Sequence, residues 1–204
     1  MQIRQLKSKC NKENIAKASE IIKNGGIVVF PTDTVYGIGC NPYNREAIKR
    51  IYKIKSREIS KSLPILAFSK EVAAKIVEFD KDSEKVAQKI WPGPLTLILK
   101  LTDEKLRASL NGIDKIAIRV PKHKCTLELL KKCDFIIGTS ANISGDGPFR
   151  NSQECYQNIH DFDLFLDGGT ITSEGESTII EFEEGKLKIH REGVLTRNEI
   201  LKIL

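Results

Sequence analysis

The stretch from Gly25 to Cys40 constrains the chain most. Two glycines precede Ile27-Val28-Val29-Phe30, a short apolar run rich in β-branched residues. Such a run behind turn residues reads as a buried strand. Pro31 follows, and a proline has no backbone N–H to give a ladder, so regular pairing is expected to end there. Next come Thr32-Asp33-Thr34, Tyr36 and two further glycines, Gly37 and Gly39. A strand that delivers hydroxyls and small residues at its carboxyl end is where an open α/β sheet places a ligand. A strand followed by an ordinary loop fits the same residues.

Strands and helices mix along the rest of the chain. Asn11 is placed to cap a helix to about Asn24, with Ile15, Ala18 and Ile22 on one face and Gly25 as its stop. Asn44 caps a second helix with an apolar stripe of Ala47, Ile48, Ile51 and Ile54, which leads into the basic loop Lys55 to Lys61. Leu63 to Phe68 reads as a strand, and Ser69 begins a helix with Val72, Ala73 and Ile76 inward. A helix over 83–90 stops at Trp91-Pro92-Gly93-Pro94, a rigid turn. Strands are expected over 95–101, 116–120, 135–137 and 164–166, and helices over 126–132, 152–159 and 198–203. A hairpin joins 177–182 to 186–190 across Glu184-Gly185. No linker, low-complexity tract or repeat interrupts this order. One α/β domain over 1–204 follows, with a mixed sheet, because some strand pairs are separated by a helix and others only by turns.

The length suits a single domain, and 40% apolar with 29% charged residues describes a soluble globular protein. No apolar run approaches a membrane span. Met1 to Lys7 lacks the apolar core of a signal peptide. Five cysteines, Cys10, Cys40, Cys125, Cys133 and Cys155, are scattered and odd in number, with no Cys-x-x-Cys pair. Reduced thiols in a cytoplasmic protein are therefore expected. His123, His160 and His190 show no ligand spacing, so no metal site is expected. A net charge of +6 favours an anionic partner such as a nucleotide or RNA, although a lysine-rich solvated surface gives the same sum.

Three apolar segments end in the same chemistry: Thr32 and Thr34, then Thr139, Ser140 and Asn142, then Ser177 and Thr178. Each cluster alone is an ordinary capped turn; three of them point to a shared pocket. Lys55, Arg57 and Lys61 share a loop, Arg119 interrupts an apolar strand and Arg191 follows another. A charge beside buried positions is costly unless it is paired or holds an anion. A salt bridge satisfies that need, and so does a polyphosphate, for which arginine forks and lysine charges are suited. The phosphate-loop motif is absent, and Gly37-Ile38-Gly39 lacks the third glycine of a dinucleotide fingerprint. Cys40 reads as a small packed residue. No nucleophile–base arrangement is evident, so in an enzyme the nucleophile would belong to a substrate, and catalysis would rest on positioning and charge stabilisation.

Read together, Pro31-Thr32-Asp33-Thr34-Val35-Tyr36-Gly37-Ile38-Gly39, Lys55-x-Arg57, Lys61, Trp91-Pro92-Gly93-Pro94-Leu95-Thr96, Ile118-Arg119-Val120-Pro121, Ser140-Ala141-Asn142-Ile143-Ser144-Gly145, Ser177-Thr178-Ile179 and Arg191-Glu192-Gly193 resemble the blocks of the YrdC-type threonylcarbamoyl-AMP synthases. They stand in family order from about residue 12 to 195. The resemblance implies a single YrdC-like α/β domain of the α+β type, with a twisted, mixed, largely open sheet flanked by helices. It implies a nucleotidyltransferase that converts L-threonine, bicarbonate and ATP to threonylcarbamoyl-AMP and pyrophosphate, with magnesium accompanying the ATP. Downstream transferase proteins would pass the group to the adenosine beside the anticodon of tRNA.

By motif, Lys55 and Arg57 would be catalytic. Thr34, Arg119, Ser140 and Ser177 would hold threonine and bicarbonate. Arg57, Lys61, Asn142, Ser152 and Arg191 would hold the nucleotide. Three places depart from the pattern: Glu58 replaces the usual proline, Leu66 stands where a histidine is frequent, and 146–152 aligns poorly, so Asn151 competes with Ser152 for one contact. Thr32 and Asp33 are expected to shape the turn. The same fold also resembles double-stranded RNA-binding modules and carbamoyl-adenylate-forming proteins, the two competing readings.

Overall fold

A computed structural model describes residues 6–204, so the reading of the first five residues lies outside it. The described elements run β1 (Leu6–Lys9), α1 (Lys12–Lys23), β2 (Val28–Pro31), β3 (Tyr36–Cys40), α2 (Arg45–Ile54), β4 (Ile65–Ala67), α3 (Lys70–Ala73), β5 (Val77–Glu78), α4 (Lys81–Ile90) and β6 (Leu95–Leu101). They continue with α5 (Glu104–Ser109), β7 (Lys115–Arg119), α6 (Lys124–Cys133), β8 (Phe135–Ser140), α7 (Ser152–Asn158), β9 (Leu164–Asp167), β10 (Thr178–Glu183), β11 (Lys186–Arg191) and α8 (Arg197–Leu201). Expected caps are present: Asn11, Asn44 and Ser69 accept backbone N–H groups, and Thr196 forms a full capping box with Glu199.

The strands form one mixed sheet in the order β1-β9-β2-β3-β8-β4-β7-β6-β10-β11, with β5 against β6. The β1–β9, β2–β9, β4–β7 and β6–β10 pairs are parallel and the others antiparallel. The stretch after the opening strand is not a loop. Val28–Pro31 turns at Thr32 to Val35 and returns as β3, which pairs with β2 and with β8. Two glycines hide this strand, because glycine is a poor strand former. Here packing requires them: a Cβ on Gly39 would lie 2.0 Å from the Ile137 carbonyl oxygen, and one on Gly37 would lie 2.9 Å from the Phe30 ring. Pro31 still lies in register with Tyr36, so pairing runs one residue further than expected.

Alternation along the strands divides the core. Ile27, Val29, Tyr36, Ile38, Leu97, Leu99, Ile116 and Ile118 face a large cluster that includes α2 and α4. Val28, Phe30, Leu66, Ile136, Leu164 and Leu166 face a smaller one built on α1 and α6. The second face is clad by helices at only one end. The residues that alternate onto it further along, Thr96 and Ile98 of β6 and Ala117 and Arg119 of β7, line a cavity instead.

The expectation of reduced thiols is corrected at one pair. Cys10 and Cys125 form a disulfide, with Cα atoms 5.8 Å apart, that joins the entry of α1 to the first turn of α6. Spacing along the chain gave no sign of it, because the two residues are 115 positions apart and meet only through α1–α6 packing. Cys40 and Cys155 are buried thiols. No described helix is long and apolar enough to cross a membrane.

Candidate active site

The cavity, about 300 Å³, lies over the sheet face that the helices leave open. Six of the ten residues given roles by motif line it: Thr34, Arg57, Arg119, Ser140, Ser177 and Arg191. They come from the β2–β3 turn, the loop after α2, β7, β8 and the two ends of the β10–β11 hairpin.

The turn is built by Thr32. Its hydroxyl donates to the Val35 carbonyl at 2.7 Å and accepts the N–H groups of Thr34 and Val35 at 3.1 and 3.2 Å. This hydroxyl-capped turn fixes Thr34, whose side chain is buried against Arg119. Arg119 is held on three sides. Nε donates to the Gly93 carbonyl at 2.9 Å, Nη1 to Thr34 Oγ1 at 3.0 Å and Nη2 to Asp33 Oδ1 at 2.5 Å. Its side chain is 6% exposed and that of Asp33 13%, so this is a buried ion pair. Burial pulls the guanidinium down, Asp33 acts against that, and an arginine remains charged throughout. Asp33 therefore does more than shape the turn.

Arg191 is tied down in the same way across the cavity. It donates to the Ser177 carbonyl and hydroxyl, both at 3.1 Å, and to Glu176 at 2.8 Å. The Ser177 hydroxyl also meets Thr96 Oγ1 at 2.9 Å. Arg57 donates to the carbonyls of Lys61 and Ser62, which shape its own loop.

Four residues lie outside the cavity lining. Lys55 is buried, and its ammonium donates to the carbonyl oxygens of Ser140 at 2.5 Å and Asn142 at 2.7 Å, with Asn142 Oδ1 at 3.3 Å. It clasps the segment that presents Ser140. Burial, with Arg57 adding repulsion and Glu176 acting against both, lowers its amine to about 8. Asn142 spends its amide on the Ile143 and Asp146 carbonyls, closing the loop. Lys61 is exposed and pairs with Glu58. Ser152 is the first residue of α7, which Asn151 caps, and its side chain hydrogen-bonds with Tyr36 and Asp167, outside the cavity lining.

Asp33, Thr96, Glu176 and His190 were not foreseen at the site. His190 and Arg191 share it because β11 carries a bulge. Ile180 faces Ile189 while Ile179 faces Arg191, which leaves His190 as the extra residue. Leu66, in place of the histidine, packs on the cavity floor beside Gly138, where a Cβ would sit 2.5 Å from its side chain.

Comparison with known proteins decides the lineage. Residues 20–193 match the Sua5/YciO/YrdC family, described as "Telomere recombination". The chain belongs to this family. Within the Sua5/YciO/YrdC family it is 33% identical over 190 residues to the threonylcarbamoyl-AMP synthase of Pyrococcus abyssi, covering 92% of this chain and 56% of that protein. It is 30% identical over 179 residues to the threonylcarbamoyl-AMP synthase of Klebsiella pneumoniae, covering 86% and 94%. The chain thus spans about half the length of the Pyrococcus protein and nearly all of the Klebsiella one. The fold matches the crystal structure of Pyrococcus abyssi Sua5 complexed with L-threonine at a TM-score of 0.89 and 32% identity, over 98% of this chain and 60% of that one. It also matches Escherichia coli YciO at a TM-score of 0.85 and 23% identity, over 96% and 97% of the two chains, a likeness of fold alone.

Proposed function

We propose that this member of the Sua5/YciO/YrdC family is an L-threonylcarbamoyladenylate synthase. The observation that carries this reading is the convergence of Arg119 and Thr34 with Ser140, Ser177 and Arg191 in one cavity. The threonine-bound relative supports it. Threonine and bicarbonate give a carbamate. Its carboxylate oxygen attacks the α-phosphorus of ATP, the bond from α-phosphorus to the bridging oxygen breaks, and pyrophosphate leaves with the electron pair.

The chain's groups act by holding. The Arg119 fork, already aligned by Asp33 and Gly93, suits the carboxylate of threonine. The hydroxyls of Thr34, Ser140 and Ser177 offer small donors and acceptors around it. Arg57 and Arg191 stand where polyphosphate charge needs neutralising, and Lys61 lies further out on the same loop. Lys55 and Asn142 act through the loop they shape. Glu176 is the one carboxylate of the cavity lining, and it is engaged by Arg191. Among the described residues no cluster of three metal-ligating side chains is present. Magnesium would enter as part of the ATP substrate, and no step here runs through it.

The product would be handed in the cytoplasm to proteins that modify tRNA. Purified protein with ATP, threonine and bicarbonate is expected to release pyrophosphate in a threonine-dependent way. Arg119→Ala is expected to lose that release by a factor of about 100 or more. Release without threonine dependence would overturn the reading.

A further inference from the structure

His190 belongs to a short charged relay that the reading above does not use. Its Nε2 lies 2.7 Å from Glu181 Oε2, and Glu181 Oε1 lies 2.5 Å from Lys115 Nζ. The three residues stand on β11, β10 and β7, on the face that carries the cavity, and His190 itself lines the cavity next to Arg191. Glu181 is nearly buried, its side chain 6% exposed, whereas the His190 side chain is 33% exposed. A buried carboxylate is costly unless paired. Burial pushes Glu181 up, but the hydrogen bonds from Lys115 and His190 outweigh it and keep its carboxyl below the ordinary range. The anion is thus fixed behind the imidazole and orients the ring. The bulge is the reason that the ring reaches the cavity, because it turns both His190 and Arg191 towards it.

We infer that His190, oriented by Glu181 and Lys115, is a phosphate-binding residue that stands beside Arg191 for the ATP polyphosphate. This rests on the synthase reading for the identity of the nucleotide. The charged group that meets the ring is Glu181 from β10, with Lys115 from β7 behind it, and Arg191 of β11 lines the same cavity. Lys115 and Lys188 also both pair with Glu183, at 3.5 and 3.2 Å, which closes the network at the hairpin end. Glu181 keeps the ring in place and sets its orientation; it is a positioning residue. His190 makes the ligand contact. Loss of the ring then weakens affinity for ATP, while affinity for threonine does not follow.

The test compares wild type with His190→Gln, His190→Lys and Glu181→Gln. ATP binding is measured by calorimetry, alongside threonine-dependent pyrophosphate release. His190→Gln is expected to bind ATP about tenfold more weakly than wild type, as loss of one charge-assisted hydrogen bond implies. His190→Lys is expected to keep tight binding. Glu181→Gln, with the ring no longer held, is expected to fall between wild type and His190→Gln. The KM for threonine is expected to stay within twofold in all four proteins. ATP binding by His190→Gln as tight as that of wild type overturns the assignment, as does an absence of ATP binding by wild type. ATP binding that follows the expected pattern, without pyrophosphate release, sinks the synthase reading and leaves the His190 assignment standing.

Discussion

Arg119 has a buried guanidinium with all three of its nitrogens engaged before any ligand arrives. Removing its counter-ion leaves an uncompensated charge in the interior, so Asp33→Asn is expected to cost about 3 kcal/mol. Urea unfolding measures this, and Asp33→Asn combined with Arg119→Met is expected to recover much of the loss; equal stability of Asp33→Asn and wild type would count against the pair. Lys55 makes a prediction of opposite character. Its amine lies at about 8 in the fold and near 10.5 when unfolded, so between those values the unfolded chain binds more protons. Stability from this group is therefore lowest below pH 8 and rises as pH climbs towards 10.5. Relative to Lys55→Met, wild type is expected to gain up to about 3 kcal/mol over that window. A difference that stays constant with pH rules this out. Six of the cavity's lining residues were legible in the sequence, as hydroxyls that end apolar runs or as basic residues within or beside them. Their partners were not. Asp33 read as a turn former because its pairing with Arg119 spans 86 positions, and His190 read as a strand end because a bulge leaves no mark in the pattern.

At the level of elements, apolar runs and helix caps carried most of the fold. The long strands β6 and β8, the β10–β11 hairpin and helices α1, α2 and α6 lie within a few residues of where periodicity puts them. What escaped was held by tertiary contact alone. β1 and β5 are short edge pieces that exist through pairing with β9 and β6, and α5 is a six-residue helix capped by Asp103. β3 was hidden by glycines that the neighbouring strand demands. Gly39→Ala would place a methyl against the Ile137 carbonyl inside a paired ladder. Overpacking of this kind costs about 1–3 kcal/mol, and more where the obstacle is backbone. Gly147→Ala, with open space around it, is the control and is expected to stay within about 0.5 kcal/mol of wild type. Thermal melts of the two variants compare them directly, and equal Tm values would mean that β3 and β8 can separate without loss.

For the whole molecule, the Cys10–Cys125 bond closes a loop of more than half the chain, with the outer β1–β9–β2 part of the sheet and the α1–α6 layer at its ends. By loop entropy, closing a loop of 115 residues contributes as much as about 4–5 kcal/mol. Reductant, or Cys10→Ser with Cys125→Ser, is expected to lower the Tm by several degrees. Pyrophosphate release measured well below that Tm is expected to be unchanged, because neither cysteine lines the cavity. Unequal activity at low temperature would show that the α1–α6 layer reaches the site.

The half-clad sheet has a consequence for how substrate and scaffold relate. Helices α1 and α6 roof one end of a face whose other end keeps Ile98, Ala117 and Ile179 as a partly apolar floor. The protein is in this sense built one layer short, and its substrates stand where a further helix would have been. A ligand seated there acts as a late-arriving piece of architecture that braces strands β7, β6, β10 and β11 from above. ATP and threonine together are then expected to slow amide exchange in those strands and to leave β1 and β9, already roofed, as they were. Protection spread evenly over the sheet would mean that the ligands merely shift global stability.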